Sequence, residues 1–149
     1  MLILTQRLLP DGSGTPPQYN LSLTADDRTR SRHRFETEEG EEVYLNLPRG
    51  TILQDGDRLA SETGEIVVLV TAKPEPILTV TAHTPLDLLR AAYHLGNRHV
   101  SLEITPNYLR ISNDSVLKAM LLQLGLQAIE EIAPFYPETG AYHHTHNHE

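Results

Sequence analysis

Thr84-Pro85-Leu86-Asp87-Leu88-Leu89-Arg90-Ala91-Ala92-Tyr93-His94-Leu95-Gly96-Asn97-Arg98-His99-Val100-Ser101-Leu102-Glu103-Ile104 carries the fold of the C-terminal half. Thr84 is an N-cap type, Pro85 suits the first helical position, and Asp87 puts a carboxylate in the first turn. A helix is therefore expected from residue 85, with Leu88, Leu89, Ala92 and Leu95 as its apolar stripe and Gly96 ending it in a left-handed conformation. Val100, Leu102 and Ile104 then alternate on one face of a strand.

Upstream, Leu78, Val80 and Ala82 alternate in a preceding strand. Downstream, Pro106-Asn107 turns the chain into a strand from Tyr108 to Ser112, with Leu109 and Ile111 on its apolar face. Asn113 or Asp114 caps a second helix lined by Val116, Leu117, Met120, Leu121 and Leu124 and stopped by Gly125. Residues 126–132 supply a last strand. The order βαββαβ predicts a ferredoxin-like domain over residues 77–135, with both helices on one face of an antiparallel sheet.

The first seventy residues read as short strands: Leu2 to Leu8, Tyr19 to Leu23, Arg28 to Arg34, Glu42 to Leu47 and Glu65 to Val70. Turn-forming groups such as Pro10-Asp11-Gly12, Glu39-Gly40-Glu41 and Asp55-Gly56-Asp57 separate them. Ala72-Lys73-Pro74-Glu75-Pro76 interrupts regular structure, which sets a small all-β domain at residues 1–72. The fold class is α+β, closed by a flexible tail over residues 136–149.

That tail holds His143, His144, His146 and His148 in a chain with no cysteine. Thiolate-free imidazole clusters suit Ni(II), Cu(II) or Zn(II), and a terminal tract suits metal that must leave again. Thr145 and Asn147 interrupt the run, as in native tracts rather than engineered tags. At 149 residues the chain folds without disulfides or structural metal. A net charge of -8 argues against nucleic acid. No signal peptide or transmembrane span is legible, so a cytoplasmic protein is expected, with no membrane partner.

His99 shares its strand parity with Ser101 and Glu103, which places it on the sheet face that the helices leave open. There a second copy across a two-fold axis turns one histidine into a pair of ligands. Spacing alone fits equally well a half-exposed histidine bonded to backbone at a strand start. His94 reads as a solvent-facing residue near a helix C-terminus, where imidazolium suits the dipole; His83 is ambiguous. Arg28, Arg30, Arg32 and Arg34 line one side of an extended strand, a solvated face or a dock for an acidic partner. Their acidic counterpart is a soluble hairpin with Glu36, Glu38, Glu39, Glu41 and Glu42. No cysteine nucleophile, G-x-S-x-G elbow, phosphate loop or H-E-x-x-H is present, so catalytic residues are not expected.

Ala91-Ala92-Tyr93-His94-Leu95-Gly96-Asn97-Arg98-His99 resembles the urease accessory protein E family, the nickel metallochaperones of urease maturation. Leu47-Pro48-Arg49-Gly50, Asp55-Gly56-Asp57, Val116-Leu117, Met120-Leu121, Leu124-Gly125 and Phe135 to Tyr142 extend the resemblance almost end to end. It implies a homodimer with an N-terminal β domain that binds peptides or partners. It further implies Ni(II) held by His99 at the dimer interface, with ligands added from the tail histidines. Zn(II) or Cu(II) would compete in vitro. The implied partners are a urease accessory GTPase and the apo-urease maturation complex. Ser112, Asn113 and Ser115 stand where some members carry further histidines, and Ser101 stands where proline is usual. Two rival functions are a general Ni, Zn or Cu buffer and a peptide-docking adaptor built on the β domain.

Overall fold

The computed structural model describes residues 1–9 and 14–139. It divides into two compact units, Met1–Lys73 and Pro74–Glu149. In the first, β1 (Leu2–Leu4), β2 (Gln6–Arg7), β3 (Tyr19–Leu23), β4 (Arg32–Glu36), β5 (Glu42–Asn46), β6 (Arg58–Ala60) and β7 (Val67–Ala72) form two sheets. One has the order β1-β5-β4 and the other β2-β6-β7-β3. Period-two alternation buries Leu4, Leu21, Leu23, Val43, Leu45, Leu59, Val68 and Val70 in a single core.

Three expectations change here. The single strand from Leu2 to Leu8 serves both sheets: Leu2–Leu4 runs parallel to β5, whereas Gln6 and Arg7 pair with β6. Arg58–Ala60 is a strand of three residues, too short for an alternation pattern to reveal. The row of four arginines does not form, because Asp27–Thr29 is a 3-10 turn. Thr24 Oγ1 accepts from the Asp27 amide, a local side-chain bond that competes with strand pairing. Arg28 is consequently buried, its Nη1 donating to the Leu23 carbonyl at 2.9 Å. Arg30 lies 3.7 Å from Asp26 and 3.6 Å from Asp27. Only Arg32 and Arg34 share the exposed side of β4.

The second unit comprises β8 (Glu75–Thr81), α1 (Pro85–Asn97), β9 (Glu103–Ile104), β10 (Leu109–Ser112), α2 (Ser115–Gln123) and β11 (Gln127–Ala133). Its sheet has the order β11-β8-β10-β9, with every pairing antiparallel. Pro76 lies inside β8, opposite Ile132, so the irregular stretch is confined to Lys73 and Pro74. Leu78, Val80, Leu109 and Ile111 pack with Leu88, Ala91, Leu95 and Leu121 in one core.

The caps follow the sequence. Thr84 Oγ1 accepts from the Asp87 amide at 3.1 Å, and Asp114 Oδ1 accepts from the Val116 and Leu117 amides. The buried stripe of α1 is Leu88, Ala91 and Leu95, one position rotated from expectation, so Leu89 faces solvent. In α2 only Leu121 is fully buried, while Val116 and Leu124 are exposed.

Candidate metal centre

Both helices end in the same hydrogen-bonding motif. At the end of α2, the Gly125 amide donates to the Leu122 carbonyl and Leu126 to Leu121, each at 3.0 Å. At the end of α1, His99 donates to Gly96 at 3.0 Å and Val100 to Leu95 at 3.3 Å. These are Schellman closures, which need a left-handed residue just past the cap. Gly125 fills that place in α2 with φ 84°, and His99 fills it in α1 with φ 57°. His99 is the non-glycine residue of positive φ among those described.

This geometry corrects the sequence reading of the same segment. Gly96 remains helical, α1 runs on to Asn97, and His99 sits in the turn instead of on a strand. The strand that follows is only Glu103–Ile104. The alternation argument for His99 therefore fails, because hydrogen bonding from Leu95 and Gly96 governs residues 99 and 100 in place of sheet pairing. His99 is nonetheless exposed at the end of α1. A left-handed L-residue is disfavoured by about 1–2 kcal/mol, and such outliers collect at functional positions.

The other described histidines stand apart in their roles. His94 is exposed on α1, edge-on to Tyr93 with ring centroids 5.5 Å apart. His83 is exposed between β8 and α1. His33 is half-buried on β4, edge-on to Phe35 at 4.7 Å. Among the described residues, no group of three or more His, Cys, Asp or Glu side chains is placed to hold a metal ion. One imidazole at the His99 position suits a borderline divalent ion as a single nitrogen donor. The rest of a coordination shell must come from a second copy or from beyond residue 139. His143, His144, His146 and His148 lie outside the described residues.

Glu103 was placed by alternation on an open, solvated face, and the structure buries it. Its Cα partner is Arg110, whose Nε donates to Thr79 Oγ1 at 3.1 Å, so these side chains share the face opposite the helices. Its carboxylate accepts the Tyr136 amide at 2.9 Å and lies 3.9 Å from Arg110 Nη1. Nothing in a two-residue edge strand signals this, because the covering groups come from thirty residues downstream.

The described residues hold no helix long and apolar enough to cross a membrane. Two α+β units, an exposed imidazole at a helix terminus and a histidine-bearing tail define a metal-binding accessory type of protein. The N-terminal domain model of the UreE urease accessory protein matches residues 4–72, and its C-terminal domain model matches residues 75–149. The chain belongs to the UreE urease accessory protein family. It is similar to Urease accessory protein UreE of Nostoc punctiforme, 61% identical over 98% of this chain and 100% of that protein. The protein of the same name from Thermosynechococcus vestitus is 57% identical over 96% of this chain and 99% of its own length.

Proposed function

We propose that this protein is a homodimeric nickel metallochaperone of urease maturation, acting in the cytoplasm and passing Ni(II) to apo-urease through a GTPase-containing complex. The observation that carries this reading is His99: an exposed imidazole at a left-handed position where its half-related counterpart is Gly125. Membership of an accessory family adds to it, and the second unit is read as a ferredoxin-like domain. His99 from each of two copies supplies one nitrogen to a shared ion, and His143, His144, His146 and His148 supply others. Few neutral nitrogen donors bind Ni(II) while leaving it exchangeable, which suits cargo rather than a structural ion. The protein carries out no turnover of its own.

The adaptor reading loses its row of arginines, since Arg28 is buried and Arg30 is paired with aspartates. Calorimetric titration with Ni(II) tests the chaperone reading directly. His99→Ala is expected to remove the tightest site and leave weaker tail binding. An unchanged tightest isotherm in that variant would move the site to the tail and favour a metal buffer.

A further inference from the structure

The chain has to cross the second unit to bring its C-terminus near His99. β11 lies at one edge of the sheet and β9 at the other, separated by three strand spacings of about 14 Å in all. Residues 134–138 make that crossing and end bonded to β9 and its approach. The Tyr136 amide donates to Glu103 Oε1 at 2.9 Å, and the Glu138 amide donates to the Leu102 carbonyl at 2.8 Å. Phe135, between the sheet and these bonds in sequence, is 1% exposed. We propose that Glu103 is a positioning residue: its buried carboxylate holds the 134–138 segment against β9, so that the histidine-bearing tail begins beside His99.

A buried carboxylate paired with an arginine is ordinarily a fold-stabilising feature, and the distances distinguish the two roles. The Tyr136 amide is the close partner at 2.9 Å, whereas Arg110 Nη1 stands at 3.9 Å and Tyr108 Oη at 3.5 Å. Arg110 has other support, from Thr79 Oγ1 and from the Tyr108 ring 4.6 Å away. The carboxylate therefore makes its shortest bond to the terminal segment.

Chain reach gives the holding contact its consequence. Leu102 is three residues from His99, at most about 11 Å of chain, and Glu138 is five residues from His143, at most about 18 Å. With the segment released, free chain runs from Ala133 and begins at the far edge of the sheet. Doubling the free length alone lowers the effective concentration of the tail at His99 by about threefold.

This role rests on the metal reading of His99, and its test is made without metal. The chain has no cysteine, so Arg98→Cys with Thr145→Cys introduces a single thiol pair reporting on tail and His99. Equilibration with glutathione gives the effective concentration of the intrachain disulfide, separated by mass from cross-chain products. Glu103→Ala is expected to lower it by threefold or more. Glu103→Gln, which keeps an oxygen acceptor for the Tyr136 amide, is expected to restore most of it. Amide exchange should show Tyr136 and Glu138 losing protection while Leu109–Ser112 keep theirs. If β10 also loosens, Tyr136→Pro removes the donor with the carboxylate left in place, and the same drop is expected. An unchanged effective concentration in these variants overturns the proposal. A drop in a chain that binds no Ni(II) at His99 instead upholds the positioning and overturns the metal reading alone.

Discussion

His99 holds φ 57° with a Cβ that crowds the following carbonyl, at a position where α2 uses Gly125. A purely structural residue there would be replaced to advantage by glycine, which adopts this conformation without steric penalty. His99→Gly is expected to be more stable than His99→Ala by about 0.5–1 kcal/mol, since alanine keeps the Cβ and gains nothing. Both variants are expected to lose the tightest Ni(II) site. Urea denaturation beside nickel titration separates the two effects. Glycine destabilising the fold more than alanine would show that the imidazole itself supports the turn. The block from Ala91 to His99 was legible as a metal-site candidate through its residues and its resemblance, but not through its geometry. Alternation assumed a strand where helix-end hydrogen bonds take the amides of His99 and Val100.

Elements were most legible where local chemistry acts alone. Thr84, Pro85 and Asp114 set helix starts through bonds to their own neighbours, so sequence sufficed. Rotation of α1 by one position and the burial of Glu103 depend on distant partners, which leave no local mark. A reverse case is Arg28, where an equally local bond from Thr24 overrode an apparent strand. Asp114→Ala should lower stability by about 1 kcal/mol, because one carboxylate oxygen satisfies two amides of α2. Chemical denaturation measures this, with loss expected chiefly in helix signal. The tie between β11 and α2 is sensitive to pH. Glu130 Oε1 accepts from Asn113 Nδ2 at 2.9 Å, and Oε2 lies 3.3 Å from Lys118 Nζ. The Asn113 bond first, then Lys118, holds the Glu130 carboxyl below its ordinary value of 4.5. A depressed folded value means the stabilisation is complete above the ordinary value and fades as pH falls through the folded one. Titration by NMR should find Glu130 still ionised at pH 4.5 in wild type but shifted upward in Asn113→Ala. An identical titration in the two proteins would show that the bond does not form in solution.

At the scale of the whole molecule, metal capture joins a folded unit to residues that lie beyond it, and protons compete for the same nitrogens. Ending the chain at Tyr142 removes four of the eight histidines while leaving every described element in place. Ni(II) binding should persist in that shortened chain with lower stoichiometry and weaker affinity, because His99 remains. Complete loss on truncation would place all binding in the tail and make the protein a buffer. Acid supplies the second arm of the same experiment. Imidazole ligates only in its neutral form, and the free ring titrates near about pH 6.5, whereas free carboxyls titrate near about pH 4. Bound Ni(II) should therefore leave between roughly pH 7.5 and pH 5.5 in both the full and the shortened chain, with proton uptake measured as metal is lost. The full chain, with more nitrogens per ion, should release it at the lower pH of the two. Retention of Ni(II) down to about pH 4.5 would assign the metal to carboxylates, in a chain whose twenty acidic residues give it a net charge of -8, and would remove His99 from the mechanism.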